Sequence, residues 1–312
     1  MFAFLRTKVC FASMKISYKT DLFGTIITLI GGILWGFSGV CGQYLFSQGI
    51  SADWLVPYRL LISGAILVAF YLLKSWENAL APLKDLRLLP QLFIYALLGL
   101  MMTQYSYFYS IELSNAAVAT VIQYTAPALI LAVVCIRQKR APKINELVAL
   151  ILAMLGVVIL ATHGDLGSLV ISARALFWCL VSAVCVCVYN LAPAKLNAKY
   201  PVVLVLGWGM VIAGVVLCVF MRVWRLEGAA TAQQWLAFWA IITLGTIFAF
   251  SFYMIGVKTI GASKASLIAC IEPVSAAFFA YFWLDTQFVF LDFVGFALII
   301  CCIFLLAKKQ NS

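Results

Sequence analysis

Long apolar segments alternate with short polar linkers along almost the whole chain. A helix that crosses the hydrocarbon core of a bilayer needs about 20 largely apolar residues, and ten segments of this kind follow one another. They cover residues 22–46, 53–73, 90–111, 115–136, 144–162, 174–193, 202–221, 233–257, 263–284 and 289–307. The pattern predicts an all-α membrane protein with ten transmembrane helices and no added soluble domain.

Composition supports a lipid environment. The 312 residues are 65% hydrophobic and only 10% charged, whereas soluble domains carry about 25% charged residues. The net charge of +10 does not predict nucleic-acid binding, because the basic residues lie between apolar segments instead of forming one patch. Nearly all of the ten cysteines lie inside apolar segments, so we expect reduced thiols that serve as small hydrophobic side chains.

The basic residues predict the orientation in the membrane. Lys and Arg concentrate on the cytoplasmic side of membrane proteins. With the N-terminus inside, the inner segments hold 17 of the 21 Lys and Arg residues, and the outer ones hold Arg174, Arg222 and Arg225. We therefore expect an inner-membrane protein with cytoplasmic segments at 1–21 and 308–312. The first apolar segment is long enough to be an uncleaved helix, and both Met1 and Met14 stay open as the start.

An internal repeat appears at a fixed shift of 146 residues. The matched pairs are Ala116 and Ala262, Ala119 and Ala265, Thr120 and Ser266, Ile122 and Ile268, Pro127 and Pro273, Gly99 and Gly245, and Tyr107 and Tyr253. We predict two five-helix repeats at 22–162 and 174–307, although helices 1, 2, 6 and 7 align poorly. An odd number of spans per copy predicts that the second copy is inverted, as in many transporters.

The linker charges agree with an inverted second copy. The linker after helix 4 carries Arg137, Lys139 and Arg140, whereas its counterpart around Asp285 has no basic residue. Equivalent linkers with exchanged charge are expected when they face opposite sides of the membrane.

Pro127 and Pro273 interrupt equivalent positions of helices 4 and 9. Proline removes a backbone donor and bends or breaks a helix, and paired interruptions in two repeats indicate a transport site. A bend that only shapes packing is the open alternative. On helix 1, Gly32 and Gly36 predict a close-contact face, for which we favour internal packing over dimerisation.

Glu272 is predicted near the middle of helix 9, and Arg59 a turn or two inside the outer end of helix 2. A charge at membrane depth costs about 2.5–3.5 kcal/mol or more, so Glu272 is a candidate proton-coupling or amine-binding group. Its alternative role is a protonated carboxyl that hydrogen-bonds to groups freed at Pro273. For Arg59 we favour pairing with an acidic residue; attraction of anionic groups and extension to the outer interface are the alternatives.

Further polar and aromatic side chains are predicted at membrane depth, where they are candidates for a substrate path. They are Trp35, Gln104, Gln123, Tyr124, Asn190 and Tyr253. A cavity built from them would suit a small amphipathic solute, although each side chain could equally satisfy a neighbouring helix.

Catalytic patterns are missing from the sequence. His163, the only histidine, lies at a predicted membrane edge, so a histidine metal cluster or a serine–histidine pair is not available. A phosphate loop of the GxxxxGK type is also absent, which argues against ATP hydrolysis by this chain. We therefore predict no enzyme, no cofactor and no metal.

Several short segments resemble the EamA family of the drug/metabolite transporter superfamily. They are residues 31–36 (GGILWG), Pro57-Tyr58-Arg59, the small-residue run that ends at Pro127, and Ile271-Glu272-Pro273-Val274. The resemblance covers residues 22–307 and implies ten helices in an inverted repeat, a cavity between the halves, and export of amino acids, metabolites or drugs. The chain departs from the pattern in helix 6, where Cys187-Val188-Tyr189 stands in place of Trp35-Gly36-Phe37.

Together these observations predict a secondary transporter that exports amino acids or similar small organic solutes by alternating access. Its expected partners are a small-molecule substrate and the lipid bilayer, with proton coupling as a candidate and no nucleic acid. Two rivals are an intramembrane enzyme acting on a lipid or polyprenyl substrate and a sensor or assembly subunit that transports nothing. Substrate identity, direction, coupling ion and oligomeric state stay open.

Overall fold

The protein is described by a computed structural model that covers residues 2–113, 116–165, 167, 172–284 and 289–307. The described residues are almost entirely helical, and no strand occurs among them. The helices of the first half are α1 (Phe2–Ser47), α2 (Ala52–Lys74), α3 (Trp76–Lys84), α4 (Leu89–Phe93), α5 (Met102–Leu113), α6 (Ala116–Gln123), α7 (Ala126–Gln138) and α8 (Ile144–Thr162).

The second half contains a similar series of helices. They are α9 (Ala173–Leu191), α10 (Ala194–Lys199), α11 (Val202–Met221), α12 (Ala232–Ile242), α13 (Ala249–Ile260), α14 (Ala262–Ile268), α15 (Ile271–Leu284) and α16 (Phe290–Ala307). Polar linkers start several of them, because a hydroxyl before the first turn accepts a free backbone N–H. Ser51 does so for α2, Ser172 for α9 and Thr231 for α12.

Six helices are long and apolar enough to cross a membrane, by length and composition. A seventh span results if α3 and the helix Leu89–Ser110, which bend by 92° between them, count as one. Further apolar helices, Ala126–Gln138, Ile144–Leu160 and Phe290–Leu306, are shorter. The all-helical membrane class is thus confirmed, whereas the count of ten stays a prediction. The predicted tail 308–312 and linker residue Asp285 lie outside the described residues.

The N-terminal helix differs from its predicted bounds. We expected the first helix to begin at residue 22 after a separate segment, but α1 begins at Phe2. The part of α1 that is apolar enough to span a membrane is Thr20–Ser47. Backbone hydrogen bonding thus continues the helix beyond the apolar segment, because polar residues also form helices.

Two π-helical segments interrupt equivalent helices of the two halves. Ile94–Met101 joins α4 to α5, and Thr243–Phe248 joins α12 to α13. Gly99 and Gly245, which the repeat pairs, both lie inside these segments. A π-turn shifts the backbone bonding by one residue, so it leaves carbonyl groups open to other partners, and such turns often occur at functional sites.

Packing between the halves follows a reciprocal scheme. Helix α1 of the first half packs against α13 and α15 of the second, and α9 of the second half packs against α5, α6 and α7 of the first. The remaining large contacts pair α2 with α11 and α8 with α16. Exchanging the first half for the second therefore reproduces the largest contacts between helices of the two halves.

Glycines allow the closest of these crossings. A Cβ at Gly214 of α11 would lie 2.4 Å from the Leu61 backbone nitrogen of α2. On α1, a Cβ at Gly36 would lie 2.0 Å from Ser275 Oγ and 2.6 Å from the Glu272 carbonyl oxygen. Only a residue without a side chain permits such backbone approach. The structure thus places Gly36, and with it Gly32 beside Ile271, in an internal contact with α15.

Candidate functional site

Equivalent helices of the two halves are broken near the middle of the bundle. The first break, at residues 124–125, separates α6 from α7, and the second, at residues 269–270, separates α14 from α15. Pro127 and Pro273 lie in the first turns that follow. Proline fits a first turn because the backbone N–H that it lacks has no intrahelical partner there. The prolines therefore restart the helices just after the breaks.

A hydrogen bond joins the two breaks. The Tyr124 hydroxyl donates to Glu272 Oε2 over 2.8 Å and also lies 3.3 Å from the Ala269 carbonyl oxygen. Both side chains are half-buried. The shift of 146 residues pairs Glu272 with Ala126, which means that the acidic group belongs to the second half alone.

Arg59 of α2 binds the π-helical segment of the second half. Its Nε donates to Thr246 Oγ1 over 2.8 Å and its Nη2 donates to the Gly245 carbonyl oxygen over 3.3 Å. The guanidinium carbon also lies 5.9 Å from the centre of the Phe108 ring and 5.7 Å from that of Phe250. Arg59 is buried and forms no ion pair within the described residues. It therefore neither reaches the lipid surface nor pairs directly with an acid.

Tyr107 and Thr120 complete a group that we name the polar centre, consisting of Arg59, Tyr107, Thr120, Tyr124 and Glu272. The Tyr107 hydroxyl and Thr120 Oγ1 are 2.9 Å apart. Phe108, which follows Tyr107 on α5, contacts the guanidinium of Arg59, so Tyr107 is the chain neighbour of a residue that contacts Arg59. Tyr107 and Thr120 were not among the site residues predicted from the sequence. Their match with Tyr253 and Ser266 in the repeat was the available signal.

A second group, which we name the aromatic bridge, consists of Trp35, Asn190, Phe250 and Tyr253. The Trp35 ring centre lies 4.9 Å from that of Phe250 and 4.8 Å from that of Tyr253. The Tyr253 hydroxyl donates to Asn190 Oδ1 over 2.6 Å. Trp35 Nε1 is buried and has no hydrogen-bond partner within the described residues. Phe250 connects the bridge to Arg59, and through it to the polar centre.

The remaining predicted path residues lie apart from these groups. Gln123 donates from its amide to Ser182 Oγ of α9 over 2.6 Å, so it links two helices. Gln104 is half-buried and makes no side-chain hydrogen bond with the described residues. The structure thus brings Trp35, Asn190 and Tyr253 together in one group and Arg59, Tyr124 and Glu272 in the other.

A cavity of about 740 Å³ opens at the basic end of the bundle. We name it the basic cavity, because its lining includes Arg137, Arg140, Lys258 and Lys264. Asn190 also belongs to the lining, so the aromatic bridge begins where the cavity ends. Neighbouring contacts therefore lead from the cavity through Tyr253, Trp35 and Phe250 to Arg59.

Comparison with known proteins identifies the family. The model of the EamA-like transporter family matches residues 22–162 and again residues 173–308. The chain belongs to the EamA-like transporter family. A relative from Salmonella typhimurium (strain LT2), the "Uncharacterized inner membrane transporter YicL", is 35% identical over 289 residues, which cover 92% of this chain and 96% of that protein.

A solved structure shows the same fold as this EamA-like transporter. Titled "Crystal structure of protein", it superposes with a TM-score of 0.78 and covers 93% of this chain and 99% of its own. Its sequence identity is 17%, so the likeness shows the fold alone. Family, relative and apolar helices together establish a multi-pass membrane transporter, which requires a small-molecule substrate and a lipid environment.

Metal chemistry receives no support from the described side chains of this EamA-like transporter. Among them, no group of three or more His, Cys, Asp or Glu residues is placed to hold a metal ion. His163 instead lies 2.8 Å, measured from its Nδ1, from the carboxylate of Asp292. This contact joins α8 to α16, as expected of a structural link between the halves.

A surface ion pair near the basic cavity connects the halves of the transporter. Lys199 Nζ donates to Asp85 Oδ2 over 2.6 Å, and the Tyr200 hydroxyl donates to the same oxygen over 2.9 Å. The hydrogen bond from Lys199 has the largest effect, and together with that from Tyr200 it holds the pKa of Asp85 below its usual value of 3.8. The pair therefore fastens the turn after α3 to α10.

We expect Asp85→Asn to lower the unfolding temperature at neutral pH and to have no effect in acid. A carboxyl with a lowered folded-state pKa stabilises the fold above its usual pKa, and this stabilisation disappears as the pH falls through the lowered value. Thermal unfolding of both proteins in detergent from neutral pH to below about pH 4 provides the measurement. The double variant with Asp85→Asn and Lys199→Gln should unfold at nearly the same temperature as Asp85→Asn, because the pair is already broken. A fall in unfolding temperature equal to the sum of the two single-variant falls would contradict the pairing.

Proposed function

We propose that this membrane transporter is a secondary exporter of amino acids or similar small organic solutes that works by alternating access. Ten helices would form two inverted halves, with both termini in the cytoplasm. A proton would enter the cell as a solute leaves it, with Glu272 carrying the proton. An enzyme activity is not part of the proposal, because the transporter family matches both halves of the chain.

The reciprocal packing supports the inverted arrangement. The contacts of α1 with α13 and α15 have counterparts in those of α9 with α5 and α7, and the equivalent helices α2 and α11, like α8 and α16, pack against each other. Two halves related in this way exchange conformations without changing their set of contacts, which opens one central site to either side. The π-helical segments and the helix breaks at equivalent positions add to this support.

The bond between Tyr124 and Glu272 is the observation that carries the proposal. It is made where a broken helix of the first half meets a broken helix of the second. Any rearrangement of the halves that moves the break between α6 and α7 away from α15 must change this contact. A carboxylate that gains or loses a proton here therefore alters a bond between the two moving units.

Glu272 lies directly against α1, because Gly36 has no side chain that would keep the two backbones apart. Trp35 of the aromatic bridge is the chain neighbour of Gly36, so a change at Glu272 can reach the bridge over a short distance.

Transport by proteoliposomes tests this proposal. Leucine, its amine analogue isopentylamine and its carboxylate analogue 4-methylpentanoate share the same branched apolar group and differ in whether they carry an ammonium group, a carboxylate or both. We expect flux of leucine that a pH gradient accelerates and that a proton-conducting ionophore slows. Absence of flux for all three compounds, with protein shown to be folded, would contradict the proposed substrate class.

A further inference from the structure

The basic cavity combines a size suited to small solutes with a strongly charged lining. Its volume is about 740 Å³, and sites for small molecules usually measure about 300–1,000 Å³. It lies among the ends of α7, α9, α10, α13 and α14. The charged residues of its lining are Asp21, Arg137, Arg140, Glu146, Lys258 and Lys264.

Two of the cations already have acidic partners. Arg140 binds Glu146 through two hydrogen bonds of 2.7 and 2.8 Å, a bidentate arrangement that uses both carboxylate oxygens. Lys264 Nζ lies 4.0 Å from Asp21 Oδ2. Both acids of the lining are thereby occupied, and neither compensates the other cations.

Arg137 and Lys258 are left without such a partner. Neither forms a salt bridge or a side-chain hydrogen bond with the part of the chain that the structure describes. Arg137 ends α7 in the first half and Lys258 lies on α13 in the second, and both are exposed. The cavity therefore presents two uncompensated positive charges, one from each half, to whatever enters it.

An unsatisfied amide lies in the same lining. Asn197 of α10 is 5% exposed, and its Oδ1 has no hydrogen-bond partner within the described residues. A buried polar atom without a partner costs free energy, and rotation of the amide group offers either its oxygen or its NH₂ to the cavity. Deeper in the cavity, the amide of Asn190 is already bonded to Tyr253 and to the Val186 carbonyl oxygen.

We propose that the basic cavity is an entry site that binds the carboxylate group of the transported solute. Arg137 and Lys258 supply the charge, and Asn197 donates a hydrogen bond from its NH₂ group. This inference rests on the proposed export function and narrows its substrate class to solutes that carry a carboxylate. From this site the solute faces Asn190, where the aromatic bridge leads towards the polar centre.

The excess of basic residues on cytoplasmic faces would place cations here even without a binding role, so the test needs a matched control. We compare wild type with Arg137→Gln, Lys258→Gln and the double variant. The control is Lys84→Gln, which removes an exposed cation at the end of α3 that does not line the cavity. Both cavity positions are exposed, so unliganded unfolding temperatures should match the wild type.

The probes are 4-methylpentanoate, leucine and isopentylamine, titrated into purified protein in a neutral detergent while thermal unfolding is followed. Ligands that bind the folded state raise the unfolding temperature by mass action. We expect both carboxylates to stabilise the wild type and the Lys84→Gln control. The double variant should weaken their apparent affinity by about tenfold, and added salt should weaken wild-type binding.

The possible outcomes separate this inference from the proposed function. Equal binding of the carboxylates to wild type and double variant would overturn the entry site. So would stabilisation by isopentylamine alone, although transport of amines would then survive. Stabilisation by phosphatidylglycerol but by neither carboxylate would show a lipid-headgroup site instead. Failure of all three probes both to stabilise the protein and to cross proteoliposomes would contradict the entry site and the export function together.

Discussion

Glu272→Gln is expected to abolish the acceleration of transport by a pH gradient and to lower leucine flux by at least about tenfold. Glutamine has nearly the shape of glutamate and still accepts a hydrogen bond from Tyr124, but it cannot gain or lose a proton. The substitution therefore separates the proton-carrying role from the structural one. The measurement is initial flux in proteoliposomes, with and without a pH gradient.

Glu77→Gln provides the matched control for this experiment. Glu77 is exposed in the first turn of α3, so the same chemical change there should leave flux and its pH response intact. Tyr124→Phe is informative as well, because it removes the hydroxyl that bonds to Glu272 and keeps the ring. We expect it to weaken the pH response partially. Unchanged, pH-dependent flux by Glu272→Gln would exclude Glu272 as the proton carrier.

Arg59→Leu is expected to lower the free energy of unfolding by about 2–3 kcal/mol. The change removes the hydrogen bonds to Thr246 and to the Gly245 carbonyl, and this carbonyl would then be left buried beside leucine. The Thr246 hydroxyl also donates to the Ile241 carbonyl over 2.8 Å, so Arg59 holds a residue that is itself bonded to the helix before it. Without Arg59, the π-helical segment loses this anchor to α2. Thermal unfolding in detergent measures the loss.

Arg59→Lys refines this prediction. Lysine keeps the charge but lacks the planar fork that reaches both acceptors and packs between Phe108 and Phe250, so an intermediate loss is expected. Arg225→Leu, at an exposed position, controls for the removal of an arginine and should be close to neutral. If Arg59→Leu unfolded at the wild-type temperature, the anchoring role would be wrong.

The helical class, the positions of most apolar helices and the transporter family could be predicted from sequence. These properties depend on local composition, since any segment in a bilayer must be apolar and must satisfy its own backbone. The match between Pro127 and Pro273 likewise indicated where α7 and α15 restart. By contrast, α1 extends beyond the apolar segment to Phe2, because hydropathy marks the membrane boundary and not the end of a helix.

The partners of the polar side chains were harder to predict. Arg59 was expected to pair with an acid, yet it binds a hydroxyl and a carbonyl of a π-helical segment. No periodicity in the sequence indicates a π-turn, because one inserted residue hardly changes an apolar pattern. Gln104, which resembles Gln123 in chemistry and depth, has no partner among the described residues, so residue type alone did not separate them.

From the order of the residues alone it follows that the chain spans a membrane, that its parts repeat at a shift of 146 residues, and that the position of Glu272 carries an acid in only one copy. The packing of the helices was needed to show that Glu272 meets Tyr124, that Arg59 meets the second π-helical segment, and that Arg137 and Lys258 line one cavity. Hydropathy and repetition are properties of the residue order, and they are the same for any arrangement of the helices. The contacts of the site join residues of opposite halves, and their distances depend on how closely glycines such as Gly36 and Gly214 let those helices approach.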